Sequence, residues 1–207
     1  MQRMVLDHYG RRKYVNEEEL AAFLAQARQS PVEIQSFCCL LAETGCRISE
    51  ALALRGENFD LSSGFVIFES LKKRRRGIFR MVPISDQMID LLDQAHGLRG
   101  ADPAVMTSLL WPWARMTGYR HVRRLMIQAS IVGQNASPKA LRHGFGVSAV
   151  AAGVPLSLLQ RWLGHADLRT TAIYAQVTGP EERAIAQKLW HRYPSGSAGE
   201  ARAASAT

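Results

Sequence analysis

Four short stretches are polar where a core pattern prefers apolar residues. They are "TGCRISE" with Arg47, "SLKKRRRG" with Lys72 and Lys73, "KALRHGF" with Lys139, Arg142 and His143, and "LGHADLRTTAIYAQ" with His165 and Tyr174. Singly, each has an ordinary structural reading. An arginine after a glycine at a helix end binds carbonyls or solvent, and a basic hairpin tip is a solvated loop. "LGHAD" is a helix stop with a capping histidine, and Tyr174 is a half-buried aromatic in helical phase with Thr170 and Thr171. Together they form a different inventory. Arginine offers a fixed fork to an oxyanion and does not deprotonate. A desolvated lysine makes a general acid. A tyrosine of ordinary pKa about 10 becomes a nucleophile when cations favour its phenolate.

The bulk of the chain narrows the partner. Its 207 residues suit one large domain, and 47% hydrophobic residues allow a real core. Twenty-six Lys and Arg against 18 Asp and Glu give a net charge of +8, which points to a polyanion, either nucleic acid or an anionic membrane surface. No apolar run approaches the roughly 18 residues of a membrane span. The start, "MQRMVLDHYGRRKY", lacks the apolar stretch of a signal peptide. Cys38, Cys39 and Cys46 are odd in number and clustered, so they read as reduced, packed thiols of a cytosolic protein rather than a zinc site.

The elements that must position these residues are mostly helices. Asn16 and Glu19 have capping-box spacing, with Leu20, Phe23, Leu24 and Ala27 on one face behind them. Ser30 and Pro31 repeat the grammar, Glu33 closes a second box, and Gly45 stops that helix. A short helix through "ISEALAL" follows. "GFVIF" and "IFRMVPI" read as strands of a β-hairpin whose tip is the basic stretch, ended by Pro83. Ser85 caps a helix carrying Met88, Leu91, Leu92 and Ala95. Residues 97 to 118 read as irregular, and Val122, Leu125, Met126 and Ala129 mark another helix. Ser137 and Pro138 open the helix of Lys139, Arg142 and His143. "VPLSLLQRWLGH", "RTTAIYAQ" and a last helix from about Pro180 to Trp190 complete a mainly α chain with one small antiparallel sheet, an α+β class. The tail "SGSAGEARAASAT" is small and polar and reads as disordered. Residues 1–15 are an N-terminal extension, 16–192 one domain, and 193–207 a tail.

The order Arg, Lys in a hairpin, x-A-L-R-H, L-G-H, and then a tyrosine nine residues after that histidine resembles the tyrosine recombinase, or phage integrase, family. The resemblance covers about Asn16 to Trp190. It rests on "TG-x-R-I-S-E-x-L-x-L", "L-R-H-x-F", "LGH" and "T-x-x-Y", and matches the family's catalytic domain alone. Members usually carry an upstream helical core-binding domain. The resemblance therefore implies a catalytic domain separated from its partner, or a short member like the fimbrial-switch invertases.

The resemblance implies a site-specific DNA recombinase that cuts and rejoins DNA through a 3′-phosphotyrosine. Tyr174 is the nucleophile, Arg47 and Arg142 hold the non-bridging oxygens, and His165 bonds one of them. Lys72, or Lys73 one residue on, protonates the leaving 5′-oxygen. No cofactor and no metal are implied, since arginines stand where an ion would. The common second box is H-x-x-R, and here its first position is Lys139, which donates to phosphate but is a poor base near neutral pH. His143 matches a family position that is structural more than chemical. The implied partners are double-stranded DNA with inverted-repeat half-sites and a homotetramer on that DNA, monomeric when free, with no membrane. The last helix passes between protomers. The implied location is cytoplasmic, on the nucleoid. Type IB topoisomerase-like relaxation and an inactive DNA-binding protein are the alternatives.

Overall fold

The computed structural model describes residues 5–69 and 77–176, with Arg183, Ala186, Gln187 and Leu189 of the last segment. The basic hairpin tip with Lys72 and Lys73, the "VTGP" hinge, most of the last helix and the polar tail lie outside the described residues.

Local chemistry sets most helix starts. Helix α1 (Glu17–Arg28) carries the expected capping box: Glu19 N–H donates to Asn16 Oδ1 and Asn16 N–H to a Glu19 carboxylate oxygen, each at 2.9 Å. Helix α2 (Val32–Thr44) departs from expectation. Pro31, not Ser30, is its N-cap, and no side chain caps it. The Ser30 hydroxyl donates to the Gln26 carbonyl at 3.3 Å, so it closes α1 instead of opening α2. Gly45 ends α2 with φ 59°, a left-handed position that glycine adopts without strain.

The short helix α3 (Ile48–Ala51) leads into a three-stranded antiparallel sheet, β1 (Phe59–Asp60), β2 (Phe65–Glu69) and β3 (Phe79–Pro83), in the order β1-β2-β3. The central register pairs Val66 with Val82 and Phe68 with Arg80. The two-residue β1 has too little alternation to register in the sequence.

Helix α4 (Asp86–His96) is capped by Ser85, as expected. Residues 97–118 are more ordered than the sequence suggested. They hold helix α5 (Pro103–Thr107), opened by Asp102 and Pro103, and the start of α6 (Arg115–Gln128). Helix α5 buries none of its residues, so it offers no apolar stripe to find. Helices α7 (Pro138–Ala151), α8 (Leu156–Leu163) and α9 (Leu168–Ala172), with a 3-10 turn at Ile173–Gln176, carry the remaining motifs. No helix among the described residues is long and apolar enough to cross a membrane.

Two apolar clusters flank α7. The larger gathers α1, α2, α4, α6 and the inner sheet face around Phe37, Trp111 and Leu141. The smaller joins Val147, Leu159, Leu163, Ile173 and Tyr174 to Val5 and Tyr14 of the N-terminal segment. That segment lies directly on α7, with Val15 N–H donating to the Ala140 carbonyl at 3.2 Å.

The close approach explains Gly144. A Cβ there would stand 2.4 Å from the Val15 carbonyl oxygen. Gly144→Ala gains about 1 kcal/mol of helix propensity, but overpacking against backbone costs about 1–3 kcal/mol. The expected result is a melting temperature lowered by several degrees. An unchanged or raised value would show that the segment yields.

Candidate active site

A cavity of about 550 Å³ opens where α3, α6, α7 and α9 meet. Its lining includes Arg47, Lys139, Arg142, His143, His165 and Tyr174. The structure thus brings together five of the six residues singled out as catalytic candidates, together with His143. Lys72 lies outside the described residues.

Arg142 is the most constrained. It is buried, and its two terminal nitrogens donate to the carbonyls of Gly45 at 2.7 Å and Leu163 at 2.6 Å. Those carbonyls belong to the C-terminal ends of α2 and α8, where unpaired C=O groups and the helix dipoles favour a cation. Burial, and then the like charge of Arg47, lower the Arg142 pKa to about 10, so it stays cationic at neutral pH. Each terminal nitrogen keeps a second N–H beyond its carbonyl bond.

Arg47 is held by Glu50, three residues on. Its Nη1 donates to Glu50 Oε1 at 2.8 Å, and its backbone N–H to Oε2 at 2.8 Å. Arg80 of β3 grips the same carboxylate through both terminal nitrogens, at 3.2 and 2.8 Å. It also donates from Nε to the Trp162 carbonyl at 2.8 Å. Glu50 and Arg80 therefore tie α3, the sheet and α8 together behind Arg47. Burial pushes the Glu50 carboxyl up, but bonds and charge from Arg80, then Arg47, outweigh it and hold the group below the ordinary carboxylate range.

The Gly164 turn places His165 over the cavity, with φ 63° at the glycine ending α8. His165 Nδ1 lies 3.0 Å from the Thr171 hydroxyl. Burial, then Arg142 and Arg47, push its pKa down to about 3, so the ring is neutral at pH 7. The rings of His165 and Tyr174 are nearly parallel, 16° apart, with centroids at 6.3 Å.

Tyr174 is 1% exposed, and its hydroxyl lies 3.1 Å from His143 Nδ1. Its ring passes over Gly146, where a Cβ would come within 2.6 Å of Tyr174 Cζ. Burial raises the phenol pKa, while Arg142 and Arg47 pull it down. Helix α7 thus supplies the buried arginine, the tyrosine's hydrogen-bond partner and the bare backbone that admits the ring.

Two contributors have no role in the sequence reading. Glu50 stands inside the quoted "RISE" motif, so its spacing from Arg47 was available. Arg80 had no such signal, since its carboxylate lies 30 residues away. The cysteines are free, and Cys38 and Cys46 are buried. Burial pushes Cys39 up to about 11 and Cys46 up to about 12, which keeps both as thiols.

Residues 13–180 match the model of the phage integrase family. The chain belongs to that family. Tyrosine recombinase XerC of Erythrobacter litoralis is 31% identical over 152 residues, 73% of this chain and 48% of that relative. Among solved structures, XerA recombinase superposes with a TM-score of 0.72 and 25% identity, over 87% of this chain and 65% of that one. The XerH site-specific recombinase bound to palindromic difH substrate, a post-cleavage complex, gives 0.69 at 25% identity, over 86% of this chain and 53% of that one. The chain spans about half the length of the curated relative. Its mainly helical fold with a small antiparallel sheet is that of the family's catalytic domain.

Glu50→Gln removes the charge that two arginines share. Arg80 is then left buried and uncompensated, which costs about 3 kcal/mol or more. Because the folded carboxyl is more acidic than the unfolded one, its contribution is complete at neutral pH and disappears as pH falls through the folded value. Denaturant unfolding should show wild type more stable at pH 7 and the gap closing below about pH 4. A gap independent of pH would contradict the charge argument.

Proposed function

We propose that this chain is the catalytic part of a site-specific DNA recombinase that cuts and rejoins DNA through a 3′-phosphotyrosine intermediate. The observation that carries this reading is the convergence of Arg47, Arg142, His165 and Tyr174 on one cavity. A phosphodiester docked there meets two guanidiniums already fixed by protein partners, so little reorganisation accompanies charge development. Neutral His165 accepts a hydrogen bond from the Thr171 hydroxyl at Nδ1 and offers its Nε2–H to a non-bridging oxygen. Lys139 donates to the same phosphate from the first turn of α7.

Tyr174 Oη attacks phosphorus, and the bond from phosphorus to the 5′-oxygen breaks. Lys72, or Lys73, supplies the proton that the leaving oxygen needs. The phosphotyrosine keeps the bond energy, so a 5′-hydroxyl from either strand re-forms the phosphodiester without a nucleotide cofactor. No metal enters the scheme, because the arginines carry the positive charge.

In this reading 16–192 are the catalytic unit, 1–15 lead into it and 193–207 follow it. The substrate is double-stranded DNA with inverted half-sites, gripped by a homotetramer whose last helices pass between protomers, on the nucleoid of the cytoplasm. Exposed Arg115 lines the cavity, and exposed Arg120, Arg123 and Arg124 further along α6 add phosphate-neutralising charge of the kind such binding needs.

Incubation with a pool of nicked duplexes bearing randomised flanks tests the reading. Wild type should give a denaturation-resistant protein–DNA band, and Tyr174→Phe none while still binding DNA. Arg47→Ala should lower the rate by about 100-fold or more, the loss typical of one preorganised donor. A band from Tyr174→Phe would exclude Tyr174 as the nucleophile. Relaxed plasmid without recombinant joints would point to a topoisomerase.

A further inference from the structure

We infer that His143 is a catalytic residue, the group that takes the proton from Tyr174 as its oxygen attacks phosphorus. The inference rests on the recombinase reading and concerns a residue whose family position suggests a structural more than a chemical role.

The geometry starts with hydrogen-bond accounting. The Tyr174 hydroxyl is buried, and His143 Nδ1 at 3.1 Å is its hydrogen-bond partner among the described residues. His143 Nε2 is buried and has no hydrogen-bond partner among the described residues. Two neutral tautomers exist. With the proton on Nε2, the tyrosine donates to Nδ1 and one buried group, the Nε2–H, goes unpaired. With the proton on Nδ1, the hydroxyl hydrogen and the Nε2 lone pair both lack a buried partner. Each orphan costs about 1–3 kcal/mol, so the first arrangement wins. It is also the one in which a basic lone pair faces the nucleophile's proton.

The charges around the ring make this base responsive to substrate. From α7, Lys139 and Arg142 face it; from the N-terminal segment, Lys13; from the turns beyond α8, His165 and Tyr174. Burial, then Lys139, Arg142 and Lys13, hold the imidazole pKa down at about 4, so the ring is unprotonated at neutral pH. A phosphodiester bound by Lys139 and Arg142 would offset the two nearest repelling cations. Proton uptake at Nδ1 then becomes easier at the moment the target is in place. The proton balance closes: Oη–H breaks, Nδ1–H forms, the new O–P bond replaces the bond to the 5′-oxygen, and the hairpin lysine protonates that oxygen. In the religation direction His143 returns the proton to Tyr174. Such a base also answers the Lys139 departure, since the residue in the usual histidine's place is a lysine.

The test uses His143→Asn in the full chain. Its amide oxygen falls near Nδ1 and keeps a hydrogen bond to Tyr174, but it does not take up a proton. Single-turnover adduct formation on the nicked-duplex pool should fall by about 100-fold or more at pH 7, with DNA binding and melting temperature near wild type. The rate of the variant should keep climbing with pH where wild type has levelled. Replacing Tyr174 by a fluorinated tyrosine, a more acidic phenol, should recover most of the loss, which a packing defect would not allow. A variant within about threefold of wild type, or one with an unchanged pH profile, overturns the inference. A wild-type chain that forms no adduct overturns the recombinase reading and this inference with it. If His143→Asn does not fold, nitrogen-15 NMR of the unaltered chain decides: Nε2–H is the expected tautomer, and Nδ1–H overturns the assignment.

Discussion

The Arg142 guanidinium, pinned between the C-terminal carbonyls of α2 and α8, is the constraint on which the rest depends. A buried cation needs acceptors, and two helix ends supply them without a carboxylate that would neutralise it. The charge therefore remains available to an incoming anion. It bears on its neighbours as well: it adds to the burial that lowers the pKa values of His165 and, after Lys139, of His143, and it opposes the burial that raises Tyr174. A paired arginine here would leave a packed core with no reason to bind phosphate.

Arg47 solves the same problem differently. It has an anionic partner, Glu50, but that carboxylate is shared with Arg80. Two guanidiniums on one carboxylate leave a net positive charge, and the side chain of Arg47 keeps some exposure at the cavity, 24% against 6% for Arg80. The sheet thus acts on the site through Arg80, which stacks over Phe68 at 4.7 Å and reaches α8 through the Trp162 carbonyl. Arg80 pairs with Phe68 near the connection end of β2 and β3, so these two strands brace the Glu50 carboxylate that holds Arg47.

The sequence made the local grammar plain. Asn16 with Glu19, Ser85, and Ser137 with Pro138 start helices where their side chains accept backbone N–H groups within a turn. Motif spacing likewise marked five of the residues that meet in the cavity. Hidden features depend on distant chain. Ser30 turns back to α1 because Gln26 offers a carbonyl, and no pattern at 30–33 records that choice. Arg80 finds Glu50 across 30 residues, and Arg142 finds Gly45 across 97. Gly144 and Gly146 look like weak helix formers until Val15 and Tyr174 occupy the space above them.

The proposed reaction requires Arg47, Arg142 and His165 to surround one phosphorus in line with Tyr174. A crystal structure of the chain on duplex DNA nicked at a captured cleavage site, with vanadate replacing the scissile phosphate, measures this directly. Vanadium should be bonded to Tyr174 Oη, with its equatorial oxygens within hydrogen-bond distance of both arginines and His165. Vanadate bound away from Tyr174, or equatorial oxygens held by other side chains, would contradict it.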